Sequence, residues 1–85
     1  MLNYRPLSNI AHDIKRDWVN VNYAAKLYLA AMLQLDTIQD NYYHDSAKSI
    51  VLYFLSNAKA WRGDTAKLIK AELNLLLKNK PLSQL

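Results

Sequence analysis

Residues 8–78 contain a single strong helix breaker, and this constrains the fold more than any other feature of the sequence. Gly63 is the only glycine of the chain, and its two prolines, Pro6 and Pro81, lie near the ends. Proline lacks the N–H that a helix interior needs, and glycine is unfavourable there. The scarcity of both residues between positions 8 and 78 therefore favours helices. We therefore expect one all-α domain over residues 1–85, a small four-helix bundle with a short N-terminal helix and three longer ones.

Apolar residues at helical spacing predict two helices in the N-terminal half. The first begins after Ser8 or Asn9, both good N-cap residues, and Asn22 is expected to cap the second. The first apolar stripe is Ile10, Ile14 and Trp18, and the predicted buried face of the second helix is Ala24, Leu27, Tyr28, Ala31 and Leu35, widened by Leu29, Met32 and Leu33. The polar, aromatic residues 40–45 are expected to form a loop or a frayed helix end.

The C-terminal half carries the clearest helical stripe. A central helix is predicted to start at Asp45 or Ser46 and to bury Ala47, Ile50, Val51, Phe54, Leu55 and Ala58. Gly63 fits the C-cap of this helix, where positive φ is common, and Asp64 or Thr65 can cap the next one. The fourth helix is expected to run from about Thr65 to Lys78 and to bury Ala66, Ile69, Leu73 and Leu76.

The net charge of +4 is unevenly distributed. Residues 1–45 carry four basic and five acidic groups, a net −1, whereas residues 46–85 carry seven and two, a net +5. Five basic residues of this half are candidates for contacting an anionic macromolecule: Lys59, Arg62, Lys67, Lys70 and Lys78. A solvated surface that serves only solubility is the alternative for all of them.

The turn Trp61–Asp64 offers an indole, a guanidinium and a helix N-terminus, which are groups that ligand sites use. In the alternative interpretation it is a packed corner, with Trp61 in the core and Gly63 as a C-cap. A helix, a turn with glycine and a second helix also resemble a helix-turn-helix, but lysine suits phosphates better than base edges.

Tyr42 and Tyr43 lie in a polar stretch where burial is not expected, and they are candidates for anchoring a protein partner or stacking on unpaired bases. Alternatively, these rings cover one end of the bundle. Asp36, Asp40 and Asp45 are close in sequence, so this region would repel nucleic acid and suit a basic protein surface.

The residues suited to catalysis are few, and we expect no catalytic, cofactor or metal site. The chain has no cysteine, one glutamate (Glu72) and two histidines, and it contains no phosphate-binding loop or nucleophile elbow. Residues 1–8 lack the apolar region of a signal peptide, and the apolar run 50–55 is far shorter than the ~20 residues of a membrane span. A soluble, cytoplasmic protein is therefore expected.

Two segments resemble short uncharacterised helical proteins of phages and other mobile elements in Gram-positive bacteria. They are residues 17–25, DWVNVNYAA, and 45–78, which includes SIVLYFLSNA and WRG. The resemblance covers most of the chain but implies no activity and no functional residue. It implies an accessory role, such as modulating a host factor, opposing a defence system or assisting replication of the element.

Taken together, these features predict a non-enzymatic interaction protein that binds and modulates a host protein or nucleoprotein complex. The alternative is a nucleic-acid-binding protein that contacts mainly the phosphate backbone through its basic C-terminal half. Apolar residues on nearly all sides of the second and third helices leave a homodimer open as well.

Overall fold

The computed structural model describes residues 5–78, which form four helices and one small hairpin. The helices are α1 (Leu7–Asp17), α2 (Tyr23–Met32), α3 (Ala47–Ser56) and α4 (Asp64–Lys78), and the hairpin pairs β1 (Asn41–Tyr42) with antiparallel β2 (Asp45–Ser46). The predicted all-α class is confirmed. The predicted lengths differ, because α1 has 11 residues and is longer than α2 and α3, which have 10 each. Pro81, which cannot continue a helix, lies outside the described residues.

The start of α1 is stabilised by a neighbouring segment and not by a side-chain cap. Pro6 is the N-cap, so the prediction of Ser8 or Asn9 as cap was wrong. The N–H groups of Leu7 and Ser8 donate to the carbonyls of Asp36 and Leu35 at 2.8 and 2.9 Å. These tertiary bonds satisfy N–H groups that lack a partner within the helix, and therefore no capping side chain is needed.

The N-cap of α2 was predicted correctly, and its buried face was predicted in part, since Leu29, Ala31, Met32 and Leu35 are buried as expected. The Asn22 side chain accepts a 2.8 Å hydrogen bond from the Ala25 N–H. Ala24 and Leu27 are exposed, whereas the buried residues of α2 are Ala25, Leu29, Ala31 and Met32. Almost every residue of α2 is apolar, so spacing alone could not select a face, and an error of one position rotates the helix by about 100°.

The connection between α3 and α4 is longer than predicted, because α3 ends at Ser56. Gly63 has the expected positive φ of 115°, but it is not the C-cap of α3. Its carbonyl accepts from the Lys67 N–H at 3.0 Å, which makes it the N-cap of α4. The seven-residue connection 57–63 also differs from the three- to four-residue turn of a helix-turn-helix.

The core lies between the four helices and the connection 57–63. Phe54 is fully buried and meets the rings of Trp18 and Trp61 edge-on, with centroids 6.2 and 6.3 Å apart. The predicted faces of the last two helices are confirmed, apart from Leu55, which is only partly buried. They bury Ala47, Ile50, Val51, Phe54, Ala66, Ile69, Leu73 and Leu76, and Ala58 of the connection is also buried.

Residues 40–45 form the hairpin and its approach, in place of the predicted loop or frayed helix end. Tyr43 stands in the turn with a φ of 55°, which is unusual for a residue with a side chain. The Asp40 carboxylate accepts from the N–H groups of Asp36 and Thr37 at 2.9 and 3.0 Å, and these bonds lower the pKa of Asp40. The Asp40 carboxylate therefore stabilises a turn.

Candidate macromolecule-binding surfaces

Trp61 belongs to the core and is not a ligand-contacting indole. Its side chain is 2% exposed and stacks on Trp18 with ring centroids 5.8 Å apart and planes 9° from parallel. The indole N–H donates a 2.8 Å hydrogen bond to the Asp17 carboxylate at the end of α1. The structure thus agrees with the packed-corner interpretation for this residue.

Lys70 connects α4 to the preceding turn. Its ammonium donates to the carbonyl of Ala58 at 2.8 Å and to that of Trp61 at 2.7 Å, and it lies 5.7 Å from the centroid of the Trp61 ring. Burial, and then the nearby positive charge of Arg62, lowers the pKa of Lys70. Two of its three N–H donors are used within the fold. Binding by Lys70 stays a prediction, with only one donor left for a partner.

Three of the predicted basic residues lie on the surface around the turn. Lys59, Arg62 and Lys67 are exposed, and we call these three residues the basic turn. Arg62 and Lys67 line a shallow pocket of about 300 Å³ together with Asp64, whose carboxylate partly offsets their charge. Lys78 is exposed at the other end of α4, about 16 Å from Lys67 along the helix axis.

The two predicted tyrosines lie in the hairpin, away from the basic turn. Tyr43 is 84% exposed and Tyr42 is partly buried, and their rings meet edge-on with centroids 4.7 Å apart. The hairpin precedes α3 and the connection to the basic turn follows it, so the two sites are separated by about 15 Å of helix. The predicted residues therefore form two surfaces at opposite ends of α3.

A third surface, which the sequence prediction did not assign as a site, lies along α2 and α3. The Asn22 side chain donates a 2.9 Å hydrogen bond to the carbonyl of Asn57, so the start of α2 meets the end of α3. Tyr28 and Tyr53 touch across the two helices with ring centroids 5.4 Å apart. Tyr23 and Leu27 of α2 and Leu52 of α3 are exposed on the same two helices, and we call these three residues together with Tyr28 and Tyr53 the α2–α3 face.

Glu72, the single glutamate of the chain, forms an ion pair with Arg5. Arg5 donates two hydrogen bonds to the Glu72 carboxylate at 2.8 and 3.0 Å and also pairs with Asp13. Its guanidinium lowers the pKa of Asp13, while these two carboxylates raise the pKa of Arg5. This cluster joins the N-terminal segment to α1 and α4. Within residues 5–78, no group of three or more potential metal ligands is present.

Comparisons with known proteins add no relative. The chain matches no protein-family model, and searches of curated proteins and of solved structures find no similar protein. None of the helices in the described part of the chain is long and apolar enough to span a bilayer.

Proposed function

We propose that this chain is a non-enzymatic interaction protein, a cytoplasmic accessory of a phage or mobile element that modulates a host protein or nucleoprotein complex. An inhibitor of a host defence system is one example of such a role. The observation that carries the proposal is the α2–α3 face, on which five large apolar or aromatic side chains remain wholly or partly exposed. No member of the face carries a charge at neutral pH.

The composition and packing of this face support binding to a protein. Tyrosine and other aromatic residues are enriched at protein interfaces, because they bury a large area while ordering few rotatable bonds. The contact between Tyr28 and Tyr53 already restricts both rings, which reduces the entropy lost on binding. Tyr23 is 78% exposed at the start of α2, so a partner could remove much of its surface from water. The mechanism is occlusion or scaffolding of the partner.

Photo-crosslinking tests this proposal. A photoreactive phenylalanine at position 27 or 53 is expected to form a covalent adduct with a specific protein in a lysate of Gram-positive bacteria. The control places the same group at Lys48, which is also exposed on α3 but lies outside the face. The variant L27E/Y53E should keep its helical circular dichroism and compete poorly with the unlabelled parent chain for the adduct.

Three results would contradict the proposed binding surface. They are equal adducts from position 48, no adduct from any position, and full competition by L27E/Y53E. An adduct with twice the mass of the chain would instead identify the α2–α3 face as a homodimer interface, and light scattering over a range of concentrations would check this.

A second candidate function is nucleic-acid binding through the basic turn. Lys59, Arg62 and Lys67 are exposed, and none of them forms a salt bridge within residues 5–78. Side chains with such free charge suit phosphate contacts, whose affinity falls steeply as salt is added. The carboxylate of Asp64 in the same pocket argues against a strong anion site.

Titration with fluorescent single- and double-stranded DNA and RNA at several salt concentrations tests this candidate. If the basic turn binds phosphates, K59E/R62E/K67E should weaken binding and reduce the salt dependence of log K by roughly 2–3 units of slope. The matched control K15E/K26E/K48E makes the same change in net charge elsewhere. Absence of binding at low salt, or an equal loss in the control, would exclude the basic turn. Lys70 is left unchanged because it holds the turn together.

A further inference from the structure

A groove of about 490 Å³ lies between the α1–α2 connection and one side of α2. Its volume is within the range of ligand-binding pockets. Trp18 and Leu29 are buried beneath it, whereas Val19, at 82% exposed, stands free on one wall. Leu29, Ala30 and Leu33 contribute the apolar side of α2, and Val21 completes the connection.

Among residues 5–78, the charged residues that line this groove are both basic. They are Lys15 from α1 and Lys26 from α2, and both are exposed. Asp17 is near in sequence, but its carboxylate accepts the indole N–H of Trp61 and lines a different pocket. An apolar lining with two lysines complements a ligand that carries both apolar and acidic groups.

We infer that this groove binds an acidic, hydrophobic peptide segment of a protein partner. An aliphatic side chain of the segment lies between Val19 and the apolar side of α2, and carboxylates on either side of it pair with Lys15 and Lys26. Burial of Val19 and of the aliphatic side chain provides the apolar contribution to affinity. The lysines select acidic over basic segments.

The groove is separate from the α2–α3 face. It is lined by residues of α1, the connection and α2, whereas the face joins α2 to α3. The inference therefore does not rest on the proposed function, and loss of binding at one surface leaves the other testable.

The test is a titration of the isotopically labelled full chain with a short peptide of Asp, Glu and Leu, followed by NMR and by anisotropy of the labelled peptide. We expect shift changes at Val19, Ala30 and Leu33. K15E/K26E should weaken binding by on the order of tenfold or more, because two rim attractions become repulsions. Q39E/K48E/A71E makes the same change in net charge at exposed positions outside the groove and should bind like the parent chain.

Two further peptides test the two halves of the recognition. Replacing Leu by Ser, or the acidic residues by Lys, should each abolish the shift changes in the groove. The inference is overturned if the Lys peptide binds equally well or if the shifts map to another surface. Two other results would also overturn the inference. One is binding of decanoate in the groove without binding of the peptide. The other is the appearance of the same shift changes when the concentration of the chain alone is raised, which would identify a second copy as the occupant.

Discussion

Replacing Trp61 by alanine is expected to destabilise the fold by about 3–5 kcal/mol. The buried ring stacks on Trp18 and meets Phe54, and its N–H satisfies the Asp17 carboxylate, so alanine would leave a cavity and remove the hydrogen bond. A domain of this size has a total unfolding free energy of roughly 4–13 kcal/mol, so the variant should lose between about a quarter of its stability and all of it. Urea denaturation followed by far-UV circular dichroism measures the effect.

The variant Trp61→Phe separates the contribution of ring packing from that of the hydrogen bond to Asp17. It keeps an aromatic ring in the core but cannot donate to Asp17, so we expect a smaller loss of about 1–3 kcal/mol. If Trp61→Ala had near-parental stability, this would show that Trp61 is not part of the core. Its indole would then again be a candidate for contacting a ligand.

Replacing Lys70 by methionine is expected to cost about 2–3 kcal/mol, even though lysines on helices usually tolerate substitution. Methionine retains the aliphatic packing but leaves the carbonyls of Ala58 and Trp61 without their charged donor. The midpoint of urea unfolding should fall accordingly. Lys67→Met is the matched control on the same helix, and since Lys67 is exposed its effect should stay within about 0.5 kcal/mol.

Equal stability of the two methionine variants would contradict the structural role of Lys70. If Lys70→Met instead leaves stability unchanged but abolishes nucleic-acid binding, the ammonium contacts the nucleic acid and does not stabilise the turn. The same pair of variants thus separates a stabilising lysine from a binding one.

The parts of the fold that sequence predicted well are those where polar and apolar positions differ sharply. Lys67, Asn74 and Lys78 mark a polar side of α4, and the buried residues of this helix were identified correctly. Asn22 was recognised as a cap because its side chain acts on a nearby N–H. In α2 nearly every position is apolar, so the choice of buried face depends on where α1 and α3 pack against it.

Distant contacts explain the remaining differences. The end of α3 at Ser56 depends on the connection 57–63, which is stabilised by Lys70 from the following helix. The start of α1 depends on carbonyls of Leu35 and Asp36. The α2–α3 face is likewise made by residues far apart in sequence, such as Tyr28 and Tyr53. Local patterns contain no information about such pairings.

The stack of Trp18 on Trp61 places both tryptophans of the chain in a single optical environment. Indole emission therefore reports on one junction, between the end of α1 and the turn before α4, while far-UV circular dichroism averages over all four helices. Coincident unfolding curves from the two signals would indicate a two-state transition. An earlier fluorescence change would instead reveal that this junction opens while the helices persist, so the protein carries an intrinsic reporter of its own local unfolding.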